Sequence, residues 1–270
     1  MSDSLRQRIL TAAVLIGVLL AVLFALPPPA MLVVLSAVVL LGAWECSALF
    51  GLRRAAARCA YVLLVAAAVA FAWRLAGSRA GLEGLLGAAA LWWLIALGWI
   101  VLAPRRASRP AVALAGLCVL VPAWIALARL RLAGSRGAEW VLFCLVLVWL
   151  ADTGAYFAGR RFGRRRLAPS VSPGKTWEGV LGGLLACIPV AVAGGFWFSV
   201  PLGSFLVLCL ATVVASIVGD LTESLLKRFA GVKDSGTLVP GHGGVMDRID
   251  SLTAAAPVLL LGLTFLGVLP

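Results

Sequence analysis

A chain of 270 residues that is 63% apolar and only 13% charged, with a mean hydropathy of +1.07, excludes a soluble globular domain. Its apolar runs reach the length that carries a helix across a bilayer, and they do not alternate as barrel strands would. The formal net charge of +12 does not require nucleic acid, because basic inner loops and anionic headgroups account for it.

Turn residues and charges divide the chain into about nine spans, near 9–26, 31–50, 60–76, 82–102, 110–130, 139–157, 177–198, 202–225 and 252–269. The fold class is all-α, a polytopic transmembrane helical bundle with its N-terminus cytoplasmic. The first run follows Arg6 and Arg8 as a signal peptide would. Pro27-Pro28-Pro29 stands where a cleavage site would need small residues, so it reads as a retained span. The orientation follows from the basic residues, eighteen of the 23 falling on the side of the N-terminus. Two regions result: 1–150, a candidate lipid entrance or homodimer contact, and 151–270, with cytoplasmic loops 158–176 and 226–251. The six cysteines are scattered without CxxC spacing and read as small hydrophobes.

Asp152, Glu178, Asp220, Glu223, Asp234, Asp247 and Asp250 all lie in the last 120 residues, mostly at span ends on the inner side. Carboxylates there are costly unless paired, metal-bound or wet. In span eight, Thr212, Ser216, Asp220, Glu223 with Ser224, and Lys227 recur at helical spacing and share a face. A packing seam explains Thr212 and Ser216 but not Asp220 and Glu223.

The loop AGRRFGRRRLAPSVSPGKT (158–176) ends in a Ser-Pro pair. It predicts Ser172 as the N-cap and Pro173 as the first residue of span seven. Lys175 and Thr176 would then lie in a first turn that attracts anions. The segment fails as a P-loop, since Pro169 stands where a glycine belongs and no strand is predicted before it. All three lysines of the chain (Lys175, Lys227, Lys233) fall in these two loops.

In 233–250, Gly241, Gly243 and Gly244 surround the only histidine, His242, and permit close backbone approach around an anion. Asp247 and Asp250 share a helical face, and carboxylates with Ser or Thr oxygens suit a hard cation such as Mg²⁺. A lone histidine does not favour zinc. It reads equally as a turn-closing imidazole or a substrate contact. Cations, carboxylates and glycines together point to phosphate chemistry.

SLLKRFAGVKDSGTLVPGHGGVMDRID (224–250) resembles the signature of the phosphatidate cytidylyltransferases, or CDP-diacylglycerol synthases. ADTGAYFAGRRFG (151–163) and SPGKTWEG (172–179) resemble two further segments of that family. Val239 departs from it conservatively. The resemblance implies an integral membrane enzyme that joins CTP and phosphatidate into CDP-diacylglycerol and pyrophosphate with Mg²⁺, in a bacterial inner or plasma membrane. On that basis Asp220 and Asp247 are expected to be the principal metal ligands, supported by Ser224, Glu223 and Asp250. Lys227, Arg228, Lys233, Arg248 and Lys175 would neutralise phosphates. Ser172 and Thr176 would contact substrate, His242 with Gly241, Gly243 and Gly244 would shape the phosphate site or assist pyrophosphate departure, and Asp152 and Asp234 would orient basic partners. An ion-coupled transporter is the alternative, and it predicts mid-membrane charges and an internal repeat. A CDP-alcohol phosphotransferase would need a DG-x2-AR motif, which is absent.

Overall fold

The computed structural model describes residues 14, 16–238 and 243–269. Residues 16–24 are helical (α1), and eight long helices follow: α2 (Pro28–Leu49), α3 (Ala55–Leu75), α4 (Arg79–Leu102), α5 (Arg109–Arg131), α6 (Gly137–Phe162), α7 (Trp177–Phe198), α8 (Leu202–Phe229) and α9 (Met246–Phe265). These eight are long and apolar enough to cross a membrane. The polytopic helical expectation is met. Of the expected first span, residues 9–13 and 15 lie outside the described residues.

Short connections make neighbouring helices antiparallel, so their ends form two layers of side-chain contacts. At one end Lys175 meets Asp220, and the Arg228 side chain donates to the Val171 carbonyl. At the other, Arg131 donates to the Leu26 carbonyl and Arg136 to that of Trp197. A helix satisfies most of its backbone polar groups internally, as a bilayer demands, although Pro122, Pro189 and Pro257 each remove one donor inside α5, α7 and α9.

The closest helix pair is α6 with α7, and small residues explain it. A Cβ on Gly154 would lie 2.8 Å from the Gly182 carbonyl oxygen, and one on Gly182 would collide with the Ala158 methyl. Gly219 similarly lets α8 approach α9, since a Cβ there would stand 2.6 Å from the Asp250 carbonyl oxygen. Four of the six cysteines are buried and all are free, as small hydrophobes would be; Cys59 is exposed.

Two expectations are corrected. The segment 172–176 is not the start of α7. Ser172–Thr176 (β2) pairs antiparallel with Arg166–Ala168 (β1), with Ala168 opposite Ser172 and Arg166 opposite Thr176. Pro173 is tolerated because a two-stranded hairpin leaves outward positions that donate no ladder bond. Thr176 is the cap instead: its hydroxyl accepts the Gly179 N–H at 3.1 Å, and α7 begins at Trp177. Lys175 therefore extends from a strand, and a strand does occupy this segment. Span nine also begins earlier than the expected 252, at Met246, so Asp247 and Asp250 lie inside the helix.

Candidate active site

The polar face of α8 divides by function along its length. Thr212 and Ser216 are fully buried, and their hydroxyls donate to the Leu208 and Val213 carbonyls of their own helix, as packing residues do. One turn further, Asp220 reaches the β-hairpin, its Oδ2 lying 2.5 Å from Lys175 Nζ. Ser224 Oγ stands 3.4 Å from the other oxygen of Asp220. Lys227 Nζ lies 2.6 Å from Asp247 Oδ1 on α9 and 3.4 Å from Glu223 Oε1. The helix therefore presents two lysine–carboxylate pairs at one end of the bundle, one to the hairpin and one to α9.

The segment before α9 is organised around two carboxylates. Asp247 Oδ2 accepts the Ser235 N–H at 2.9 Å, the Ser235 hydroxyl at 2.9 Å and the Gly244 N–H at 2.8 Å. The second carboxylate is Glu45 of α2, only 3% exposed. It accepts Val245 N–H at 3.0 Å and Met246 N–H at 2.8 Å, and shares with Asp247 the Ser235 hydroxyl, 2.9 Å away. Glu45 thus satisfies free N–H groups at the start of α9, which explains why that helix begins where it does. Sequence reasoning passed over Glu45 among the acids, although a solitary carboxylate in an apolar span is itself a signal.

The glycines acquire a cause from the same geometry. Gly243 has φ of 83°, and a Cβ there would stand 2.8 Å from Asp247 Oδ2. A side chain on Gly244 would collide with the Glu45 carboxylate and the Ser235 hydroxyl, and one on Gly236 with Glu45. The anions that Gly243 and Gly244 accommodate are the protein's own carboxylates. Gly241 and His242 lie outside the described residues.

The remaining candidates are spread around this centre. Ser172 is half-buried at the start of β2. Arg228 pins the hairpin turn through Val171, and Lys233 and Arg248 are exposed. Glu178 sits in the first turn of α7 and accepts the Arg164 and Arg165 N–H groups at 3.1 and 3.2 Å. An acid therefore occupies the helix start that was expected to attract an anion. Asp152, on the C-terminal half of α6, falls within electrostatic range of Asp220 and Lys175.

The profile of the cytidylyltransferase family matches residues 6–266. This chain belongs to that family. A phosphatidate cytidylyltransferase of Haemophilus influenzae is 41% identical over 278 residues, covering 94% of this chain and 96% of that one. One from Pseudomonas aeruginosa is 43% identical over 270 residues, covering 94% and 95%. A Staphylococcus haemolyticus protein of the same name is 39% identical over 173 residues, 62% of this chain and 66% of its own.

The donor set of this cytidylyltransferase can be tested against a hard cation. Asp220, Glu223 and Asp247 stand against Lys175 and Lys227 here, with Asp220 on Lys175 and both Glu223 and Asp247 on Lys227. Glu223 is 2% exposed, and among the described residues neither carboxylate oxygen has a hydrogen-bond partner, Lys227 Nζ approaching Oε1 only as an ion pair at 3.4 Å. Among the described residues no three Asp, Glu, His or Cys side chains converge closely enough to enclose a metal. That combination does not suit an all-protein cage. It fits an ion such as Mg²⁺, which takes one or two carboxylates and completes its shell with water and substrate phosphate.

Proposed function

We propose that this cytidylyltransferase transfers the cytidylyl group of CTP to phosphatidate, giving CDP-diacylglycerol and pyrophosphate. The observation that carries the reading is the pair of lysine–carboxylate contacts, Lys175–Asp220 and Lys227–Asp247, at one end of a membrane bundle whose relatives bear that name. A phosphatidate oxygen forms the new bond to the α-phosphorus of CTP as the bond to the β-phosphate bridge breaks. A phosphate monoester loses its second proton near pH ~6, so the nucleophile needs no general base. The obstacle is charge. Two unit charges 4 Å apart repel by about 4 kcal/mol at an effective dielectric near 20.

The residues of this chain answer that obstacle by exchange of partners. Lys175 and Lys227 neutralise Asp220 and Asp247, and each can turn its ammonium to an arriving phosphate. The carboxylates so uncovered, with Ser224, Glu223 and Asp250 beside them, would hold Mg²⁺. That ion would supply the remaining neutralisation of the triphosphate. Arg248, Lys233 and Arg228 are the further cations at this end of the bundle. The site faces the cytoplasm of a bacterial cell on this reading, because the basic residues concentrate on its side.

The direct test incubates purified, monodisperse protein with labelled CTP, phosphatidate and Mg²⁺ and scores labelled lipid. Formation of CDP-diacylglycerol that chelation abolishes is the expected result. Absence of product from folded protein would overturn the reading.

A further inference from the structure

A cavity of about 240 Å³ lies between α1, α2, α5, α6 and α9. Among the described residues its lining is apolar except for Thr253 and Arg248, and Arg248 is the sole charged one. Along α2 the lining runs from Met31 to Val39, and along α6 from Val141 to Trp149, each stretch covering about 12 Å of helix axis. The cavity is therefore elongated parallel to the helices, with Arg248 at the end where α9 begins.

The position of α9 gives the cavity its meaning. Ile249, Leu252 and Thr253 line it on one face of the helix. Asp247 pairs with Lys227 of α8, and Gly219 of α8 packs on the Asp250 backbone. One helix thus separates an apolar slot from the carboxylate–lysine cluster, and Arg248 stands beside Asp247 at the rim between them. An apolar slot running with the bilayer normal, with one cation at its mouth, is complementary to an anionic lipid and not to a nucleotide. The first N–H groups of α9 cannot serve as the anion contact, since Glu45 and Asp247 already take Gly244, Val245 and Met246.

We infer that this cavity holds one acyl chain of the phosphatidate substrate, with Arg248 steering the headgroup toward Asp247 and Lys227. The inference rests on the proposed reaction and extends it by giving the first helices a substrate-selecting task. The slot reads chain length, while the second acyl chain stays in the surrounding lipid.

The test compares dihexanoyl with dioleoyl phosphatidate in detergent, using Val38→Phe and Leu145→Phe to shorten the slot. With the long-chain substrate, kcat/KM is expected to fall about tenfold through KM, a loss typical of a mis-sized apolar pocket. With the short-chain substrate it stays within about twofold of the parent, and the KM for CTP does not move. An equal fall with both substrates, or none with either, overturns the inference. Should either variant fail to fold, a phosphatidate bearing a diazirine at the chain terminus is photolysed on the parent protein. Label on α2 and α6 residues of the slot supports the inference, and label confined to other surfaces overturns it. If the parent makes no product from dioleoyl phosphatidate and CTP, the reaction itself fails, and the labelling pattern still decides whether the slot takes a lipid chain.

Discussion

Asp247 accepts three hydrogen bonds on one oxygen and a lysine on the other, whereas Asp220 meets one lysine and, at 3.4 Å, a hydroxyl. Two variants that look alike on paper therefore separate by experiment. Asp220→Asn should reduce turnover by about a hundredfold or more, the scale for losing a charge contact made in the transition state, with little change in melting temperature. Asp247→Asn should lose comparable turnover and also stability, because its amide nitrogen would face donors. An unsatisfied buried donor costs about 1–3 kcal/mol. Thermal melting in detergent beside the turnover assay checks both. Equal melting temperatures would show that the Asp247 hydrogen bonds do not hold the loop. Glu45 is argued the same way. Glu45→Gln sets a donor against Val245, Met246 or Ser235, so the folded fraction should turn over about tenfold more slowly, with the KM for CTP nearly constant. Parental turnover in the surviving folded fraction would confine Glu45 to folding.

Helix α7 is held on α6 by Gly154, Ala158 and Gly182, and β2 leads directly into α7 with Lys175 one residue before the cap. Gly182→Leu should force the two helices apart at a cost of about 1–3 kcal/mol and draw Lys175 away from Asp220. Gly87→Ala is the control, because a Cβ there meets nothing within 4 Å. Melting and turnover should both fall for the first and neither for the second. The same elements show what a sequence exposes. The α8 face was legible because helical periodicity is local, and Thr212 through Lys227 fall where period 3.6 puts them. The hairpin was not, since Ser-Pro reads as a helix start unless the pairing of Ser172 with Ala168 is known. The start of α9 was hidden for a longer-range reason: the carboxylate that caps Met246 comes from α2, at residue 45.

Across the whole molecule, charge and apolar volume are arranged with opposite polarity. The carboxylate–lysine cluster, Glu45 and Arg248 gather at the end of the bundle where α9 begins, while the apolar cavity extends from that end toward the other. A nucleotide would reach the cluster from water and a lipid chain would reach the cavity from the bilayer, so the two substrates need not share a path. This arrangement works with cellular CTP only if the cluster faces the cytoplasm, the orientation proposed above from the distribution of basic residues. Single cysteines settle the point. Ser170 lies in the turn of the hairpin and Ser135 in the 3-10 turn before α6, at opposite ends of the bundle, and both are exposed. In a Cys59→Ala background, a membrane-impermeant maleimide added to intact spheroplasts should label Ser135→Cys at once. Ser170→Cys should be labelled only after permeabilisation. The reverse pattern would put the carboxylate–lysine cluster on the outer face, away from cellular CTP, and would remove the cytoplasmic reaction from this end of the protein.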